Sequence, residues 1–142
     1  MIYTDLTKKA LKLCFLSHKD QVDKTDMPYV FHPFHLAEQM DDEISTVCAL
    51  LHDVVEDTDT TFDDLLEMGF PVEVIDVLKL LTHDDSVEYL EYVKVIATNE
   101  TAKKVKIADL KHNSDLTRLS VVDDYAKKRN EKYKKALEIL TK

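Results

Sequence analysis

The sequence predicts an all-α fold, and three observations lead to this prediction. The 142 residues include one glycine, Gly69, and three prolines, so the residues that hairpin turns require are scarce. Leucine, lysine, glutamate and alanine, which favour helices, are abundant. Apolar residues recur at the spacing of a helix face along most of the chain. With 44% hydrophobic and 33% charged residues, the chain is expected to form one globular domain over residues 1–142.

The N-terminal part of the chain is expected to hold a helix and a loop. Thr4 or Asp5 can cap the first helix, whose apolar stripe runs to about Ser17. Residues 18–26 are polar, lack a consistent period and are followed by Pro28, which together predict a loop. This loop is the longest irregular stretch that the sequence predicts.

Three helices are predicted in the middle of the chain. Pro33 fits the first turn of the second helix, where its missing N–H costs nothing. The run 42–56 has the strongest apolar stripe and should form a central core helix. Thr60 or Thr61 can cap a short helix that stops at Gly69.

Four further helices are predicted in the C-terminal half. The first carries the apolar residues between Val74 and Leu81, and Ser86 is expected to cap the next one. Thr101 is expected to cap the seventh helix. The last helix covers about 123–140 and should turn its lysines outward.

Charge and cysteine content narrow the possible partners. The net charge of −9 repels phosphate backbones and anionic lipids, so neither nucleic acid nor a membrane is expected to be a partner.

The glycine and cysteine content excludes further classes of protein. Rossmann and Walker loops need several glycines where the backbone approaches phosphate, and this chain has one. Cys14 and Cys48 form no metal or disulfide pattern, and no signal peptide is evident, so a cytoplasmic location is expected. The sequence leaves the oligomeric state open.

The predicted core helix ends in the segment LLHDVVEDTDT, which crowds carboxylates together. Asp53, Glu56 and Asp57 lie three and four residues apart, at a helix end that already carries partial negative charge. Lysines would be more favourable for stability at this position. The crowding therefore predicts a compensating positive charge.

The seventh predicted helix places polar residues on an apolar stripe. Val105, Asp109, His112 and Leu116 share this stripe, and burying Asp109 without a partner would cost several kcal/mol. Most nearby lysines fall on the opposite face, which favours a metal cation as the partner. His112 is expected to be a hydrogen-bonded or buried histidine and not a ligand.

Two imidazoles and two carboxylates, from His32, His52, Asp53 and Asp109, are the candidate metal ligands. Such a set of nitrogen and oxygen donors suits manganese, iron, zinc or a related divalent ion. The ion would polarise a phosphorus centre and acidify a bound water molecule. The predicted chemistry is therefore the hydrolysis of a phosphate ester.

Three more residues are candidates for supporting this chemistry. Glu56 and Asp57 are placed to orient or deprotonate the water or to protonate a leaving group, although both also fit a solvated helix end. Lys24 fits equally well a plain loop charge and a cation that neutralises substrate phosphate.

Three segments, PYVFHP, LLHDVVEDT and KIADLKHNSDL, carry a resemblance to a known family. In this order they resemble the HD superfamily of metal-dependent phosphohydrolases, specifically the hydrolase domain of RelA/SpoT-type enzymes, over about 17–119. The resemblance implies the same four metal ligands, with manganese as the usual ion. It also implies that Glu56 and Asp57 position the attacking water and that Asn113 contacts the nucleotide sugar. The implied reaction removes the 3′-pyrophosphate from the guanosine alarmones (p)ppGpp.

One loop departs from the pattern of that family. The family has RKSG before the PY pair, with an arginine that packs on the guanine base, whereas this chain has DKTD with Asp23 in the arginine position. Two alternatives therefore stay open. The chain is either an HD phosphohydrolase that acts on another nucleotide or phosphate ester, or a nucleotide-sensing module without turnover.

Overall fold

A computed structural model describes residues 1–142, which fold into helices joined by short loops. The only strand-like pairing is an isolated bridge between Val22 and Pro28, so the all-α prediction is confirmed. The helices are α1 (Asp5–His18), α2 (Phe31–Glu38), α3 (Glu43–Leu51), α4 (Val54–Asp57), α5 (Phe62–Glu67), α6 (Val72–Leu81), α7 (Tyr89–Ile96), α8 (Glu100–Asn113) and α9 (Asp124–Thr141). A 3-10 turn, Leu116–Arg118, follows α8. None of the helices combines the length and the apolarity that crossing a membrane would need.

Helix α3 lies at the centre of the core, as its apolar stripe predicts. Every residue from Ser45 to Leu51 is buried, and α1, α2, α6 and α8 pack around it. The thiols of Cys14 and Cys48 lie in this core, separate and buried. Burial and the nearby Asp53 carboxylate raise the pKa of the Cys14 thiol to about 12.

Several of the predicted helix boundaries are confirmed. Thr4 caps α1 through a reciprocal pair of hydrogen bonds with Thr7. Thr61 caps α5 in the same way, and Gly69 follows that helix with a φ of 93°, a conformation that glycine adopts readily. Asp123 caps α9 through the backbone N–H of Ala126.

Two predicted helix caps are wrong, because other side chains accept the hydrogen bonds that cap these helices. Ser86 donates its hydroxyl to Asp84 in a tight turn, and Glu88 caps α7 instead. Thr101 lies inside the first turn of α8, since Asn99 accepts the hydrogen bond that defines the cap. Polar residues are abundant around both boundaries, so the spacing alone does not select the correct one.

The predicted helix over 42–56 is divided in two at His52 and Asp53. The ring Nδ1 of His52 bonds to the carbonyl oxygen of Ala49 at 2.7 Å, and the helical hydrogen bonding is interrupted there. Asp53 has φ −108° and ψ 0° and begins the short α4. This break turns the His52 and Asp53 side chains into the same region.

The packing of the helices determines where functional side chains meet. Helices α2 and α3 pack together, and both contact α8. Helix α9 packs against α7 and α8. Residues on α2, on α8 and at the end of α3 can therefore converge at one place that α9 borders.

Asp26, in the loop between α1 and α2, gives a test of backbone strain. It has a φ of 63° and is the only non-glycine residue with positive φ, a region that is unfavourable for a residue with a β-carbon. We expect the Asp26→Gly variant to be about 1 kcal/mol more stable than the Asp59→Gly variant. Both changes add the same freedom to the unfolded chain, and only the first relieves a left-handed conformation. Urea unfolding followed by circular dichroism measures the difference, and equal stabilities would contradict the prediction.

Candidate functional site

Three of the four candidate metal ligands form a buried cluster. Ligand atoms of His32 on α2, His52 after α3 and Asp109 on α8 all lie within 4.8 Å of one another. The Asp109 Oδ1 atom is 2.9 Å from His32 Nε2 and 3.6 Å from His52 Nε2. Residues that are far apart in the sequence therefore present two nitrogens and one oxygen to a single point.

Asp53 lies beside this cluster. Its Oδ2 atom is 2.9 Å from His52 Nε2 and accepts a hydrogen bond from the hydroxyl of Tyr29. The imidazolium of His52 and the Tyr29 hydroxyl hold the pKa of Asp53 below its ordinary value, although burial opposes this. All four candidate ligands are thus neighbours, with Asp53 at the edge of the cluster.

The chemistry of His52 fits a cation at this point. Its Nδ1 must donate to the carbonyl of Ala49, while its buried Nε2 makes no directional hydrogen bond. Burial disfavours a proton on this ring, but the carboxylates of Asp53 and Asp109 outweigh burial and raise its pKa well above the usual value. The same two carboxylates would favour a divalent ion in place of that proton. The donor set therefore fits a divalent metal ion.

His112 orients the His32 ring, in agreement with the expectation of a hydrogen-bonded histidine. The two Nδ1 atoms are 2.7 Å apart, and the rings are stacked with an interplanar angle of 8°. Burial and the nearby Arg118 lower the pKa of His112 to about 4, so the ring is neutral near pH 7. One proton shared between the Nδ1 atoms leaves His32 Nε2 directed at Asp109.

One lysine does reach Asp109, although most nearby lysines were expected to fall on the opposite face of the helix and a metal cation was favoured as the partner. Lys106, three residues earlier on α8, places its Nζ 3.0 Å from Asp109 Oδ2. Its long side chain follows the helix surface, and the ammonium group is largely buried beside Asp109, with 13% of the side chain exposed. Burial opposes ionisation of Asp109, but Lys106 and the two imidazoles hold its pKa well below the usual range. Lys106 takes one carboxylate oxygen, and the other faces the histidines.

Glu56 and Asp57 occupy different positions at the rim of the cluster. Glu56 lines a cavity of about 280 Å³ with His52 and Asp109, and its Oε1 accepts a hydrogen bond of 2.7 Å from the His83 N–H. Asp57 does not line this cavity. Partial burial raises the pKa of both carboxyl groups, and the charge of nearby Asp53 adds to the effect. Of the two acids, Glu56 is the one that faces the space beside the ligands.

A second, larger cavity adjoins the first. It measures about 480 Å³ and is lined in part by Lys24 and His32. Both cavities include Asn113, Lys132 and Tyr133 in their walls, so these three residues mark the junction. Asn113 donates from its Nδ2 to Asp109 Oδ1 at 3.1 Å. The candidate substrate-binding residues therefore lie next to the candidate metal ligands.

Sequence reasoning missed the contribution of α9 to this site. Arg129, Lys132 and Tyr133 line the second cavity, although the lysines of this helix were expected to point outward. No motif or spacing marks them, since basic residues follow one another through much of the helix. Only the packing of α9 against α7 and α8 identifies which of them border the site.

The chain has relatives of named function. No protein-family model matches it. It is 29% identical over 138 residues to the guanosine-3′,5′-bis(diphosphate) 3′-pyrophosphohydrolase MESH1 of Drosophila melanogaster, a match that covers 88% of this chain and 76% of that protein. Identity to the zebrafish (Danio rerio) protein of the same name is 36%, over 71% of this chain and 63% of that protein. For the human protein of this name the identity is 34%, over 68% of this chain and 60% of that protein.

A solved structure supports the same relationship. It is described as a metazoan orthologue of SpoT that hydrolyses ppGpp. It matches with a TM-score of 0.76 and 26% sequence identity, covering 99% of this chain and 88% of that chain. The similarity therefore extends over the whole helical arrangement that surrounds the cluster.

Removing the charge of Asp109 tests the metal centre. We expect the Asp109→Asn variant to bind Mn²⁺ at least about tenfold more weakly than the unaltered protein, because the central ligand loses its charge. Asp41→Asn is the matched control, since Asp41 is an exposed aspartate paired with Lys104. Equilibrium dialysis followed by elemental analysis measures the bound metal. Equal metal content in the Asp109→Asn variant and the control would contradict this assignment.

Proposed function

We propose that this chain, which belongs to the HD-type family of stand-alone alarmone hydrolases, removes the 3′-pyrophosphate from guanosine 3′,5′-bis(diphosphate). The observation that carries the proposal is the buried convergence of His32, His52 and Asp109 between two adjoining cavities. Relatives named for this reaction match most of the chain. We extend the proposal to the domain organisation, with residues 1–142 forming one HD domain.

We propose that His32, His52, Asp53 and Asp109 together hold the ion and that the ion is manganese. Mixed nitrogen and oxygen ligands admit several first-row metals, and manganese is the usual one in the family that the chain resembles. When bound, the ion would polarise the phosphorus centre and lower the pKa of a water molecule. The imidazole of His112 would keep His32 in the tautomer that offers Nε2.

Glu56 is proposed to accept a proton from the attacking water. Its carboxylate lies in the cavity wall next to the ligands, and the N–H of His83 fixes its orientation. The raised pKa of Glu56 makes its carboxylate a better proton acceptor. Asp57 is proposed to assist by adding negative charge beside Glu56, which helps to raise that pKa.

The substrate is proposed to bind across the junction of the two cavities. Asn113 uses its amide N–H on Asp109, so its amide oxygen remains available to accept a hydrogen bond from a sugar hydroxyl. Lys24 in the second cavity makes no ion pair within the protein and is proposed to neutralise substrate phosphate. Lys132 at the junction is placed for the same purpose.

A small nucleotide is therefore the proposed partner. The net charge of −9 disfavours long nucleic acids and anionic membranes, whereas the basic residues of the second cavity suit a compact anion. A diffusible nucleotide and two unpaired buried thiols both fit a cytoplasmic location, which we propose as well.

A panel of nucleotides with added MnCl₂ tests the proposed reaction. We expect release of pyrophosphate from guanosine 3′,5′-bis(diphosphate), no release from guanosine 5′-diphosphate, and loss of activity in EDTA. Hydrolysis of other nucleotides but never of guanosine 3′-pyrophosphates would contradict the proposed substrate. Tight nucleotide binding without hydrolysis in any divalent metal would instead identify a sensing module.

Glu56→Gln separates catalysis from metal binding. We expect kcat to fall at least about 100-fold while the Mn²⁺ content stays unchanged, because the variant loses the proton acceptor and keeps all four ligands. In the unaltered protein kcat/KM should decline as the pH falls through the raised pKa of Glu56, where the carboxylate gains a proton. The variant should lack this acid limb in its residual activity. Glu67→Gln, on α5, serves as the control, and equal kcat values in the two variants would sink the assignment.

A further inference from the structure

The chain has only two arginines, Arg118 and Arg129, and both line the second cavity. Arginine differs from lysine in having a planar group that can stack on a ring as well as pair with an anion. The two arginines also differ in their surroundings. Arg118 is ion-paired with a carboxylate, whereas Arg129 has no such partner.

Arg118 is fixed in place by two contacts. Its Nη1 donates to the carbonyl oxygen of His112 at 2.8 Å, and its Nη2 lies 3.3 Å from Asp23 Oδ2. About a quarter of the Arg118 side chain is exposed, at 25%. A guanidinium group has five N–H donors, and no other acceptor in the protein takes those of Arg118. Its plane is therefore held while donors remain free for a ligand.

Asp23 is fixed as firmly as its partner. Its Oδ1 accepts hydrogen bonds from the Thr25 N–H at 2.8 Å, the Thr25 hydroxyl at 2.6 Å and the Met27 N–H at 3.1 Å. These bonds close the loop before α2 on itself and leave Oδ2 for Arg118. The orientation of the pair is thus established before any ligand binds.

The charge of the pair decides which part of a nucleotide it suits. Asp23 neutralises Arg118, which weakens the attraction of Arg118 for a phosphate group. Lys24, Arg129 and Lys132 line the same cavity without carboxylate partners and are better placed for phosphates. Stacking of a guanidinium plane on a heterocyclic ring does not depend on an uncompensated charge. The polar neutral pair therefore suits a nucleobase.

We propose that Asp23 and Arg118 form the nucleobase subsite of this protein, with the Arg118 plane against a purine ring. The inference rests on the proposed function in taking the ligand to be a nucleotide. The wall of the second cavity holds this pair together with the proposed phosphate-binding cations and the residues at the junction with the metal centre. A base bound there would help to select the substrate without touching the reacting atoms.

Equilibrium binding with turnover slowed tests this subsite. Isothermal titration calorimetry in MnCl₂, with Glu56→Gln present in every protein to slow hydrolysis, compares guanosine 3′,5′-bis(diphosphate) with the same ribose bis(diphosphate) carrying hydrogen in place of the base. We expect Arg118→Met to raise the Kd of the guanosine compound about tenfold and to change that of the base-free compound less than about twofold. Arg118→Lys, which keeps the charge and loses the plane, should behave in the same way. Lys128→Met on α9, outside the cavity, should bind both compounds as the protein with Glu56→Gln alone does.

Two kinds of outcome would overturn the subsite. An equal loss for both compounds in the Arg118→Met and Arg118→Lys variants would show that Arg118 binds phosphate or only supports the fold. Equal affinity of the protein with Glu56→Gln alone for both compounds, or no binding of either, would show that no base is recognised. If Arg118→Met does not fold, Arg118→Lys decides the question alone. Base-dependent binding, together with no release of pyrophosphate by the protein that retains Glu56, would refute the proposed function and leave the subsite standing.

Discussion

The buried carboxylate of Asp109 is the constraint around which the site is arranged. A carboxylate in a helical core is unfavourable by several kcal/mol unless charges and hydrogen bonds surround it. Lys106 takes one of its oxygens, and His32 and Asn113 bond to the other. Helices α2, α3 and α8 must pack together for these contacts to form. The fold and the site therefore depend on the same packing.

The two carboxylate oxygens of Asp109 have different partners, and this arrangement explains how an acidic protein can hold a phosphorylated molecule. Lys106, whose ammonium group lies over the Tyr89 and Tyr92 rings, neutralises one oxygen of the carboxylate. The other oxygen lies beside two imidazoles. A cation there and the unpaired basic residues of the second cavity would reverse the local field, against a net charge of −9. Negative and positive groups are thus separated along one continuous space.

Local sequence patterns predict the helices and the position of Asp109. They do not predict the break after Leu51 or the contacts that Lys106 and Arg118 make. The helices follow from apolar spacing, and Asp109 is conspicuous because it interrupts an apolar stripe. At the break after Leu51, the His52 ring forms a hydrogen bond to the carbonyl oxygen of Ala49, and helix propensities do not predict this contact. Lys106 reaches Asp109 along the helix surface, and Arg118 meets Asp23 across 95 residues of sequence. Such contacts depend on tertiary packing, which periodicity does not describe.

The proposed metal centre requires four side chains that are remote in sequence to converge on one divalent ion. A crystal structure of the protein grown with MnCl₂, with anomalous diffraction data collected near the manganese edge, measures this convergence. We expect one strong anomalous peak within about 2.0–2.4 Å of ligand atoms from His32, His52, Asp53 and Asp109. A crystal that shows manganese elsewhere, or these four side chains hydrogen-bonded to one another around no ion, would contradict the proposed centre.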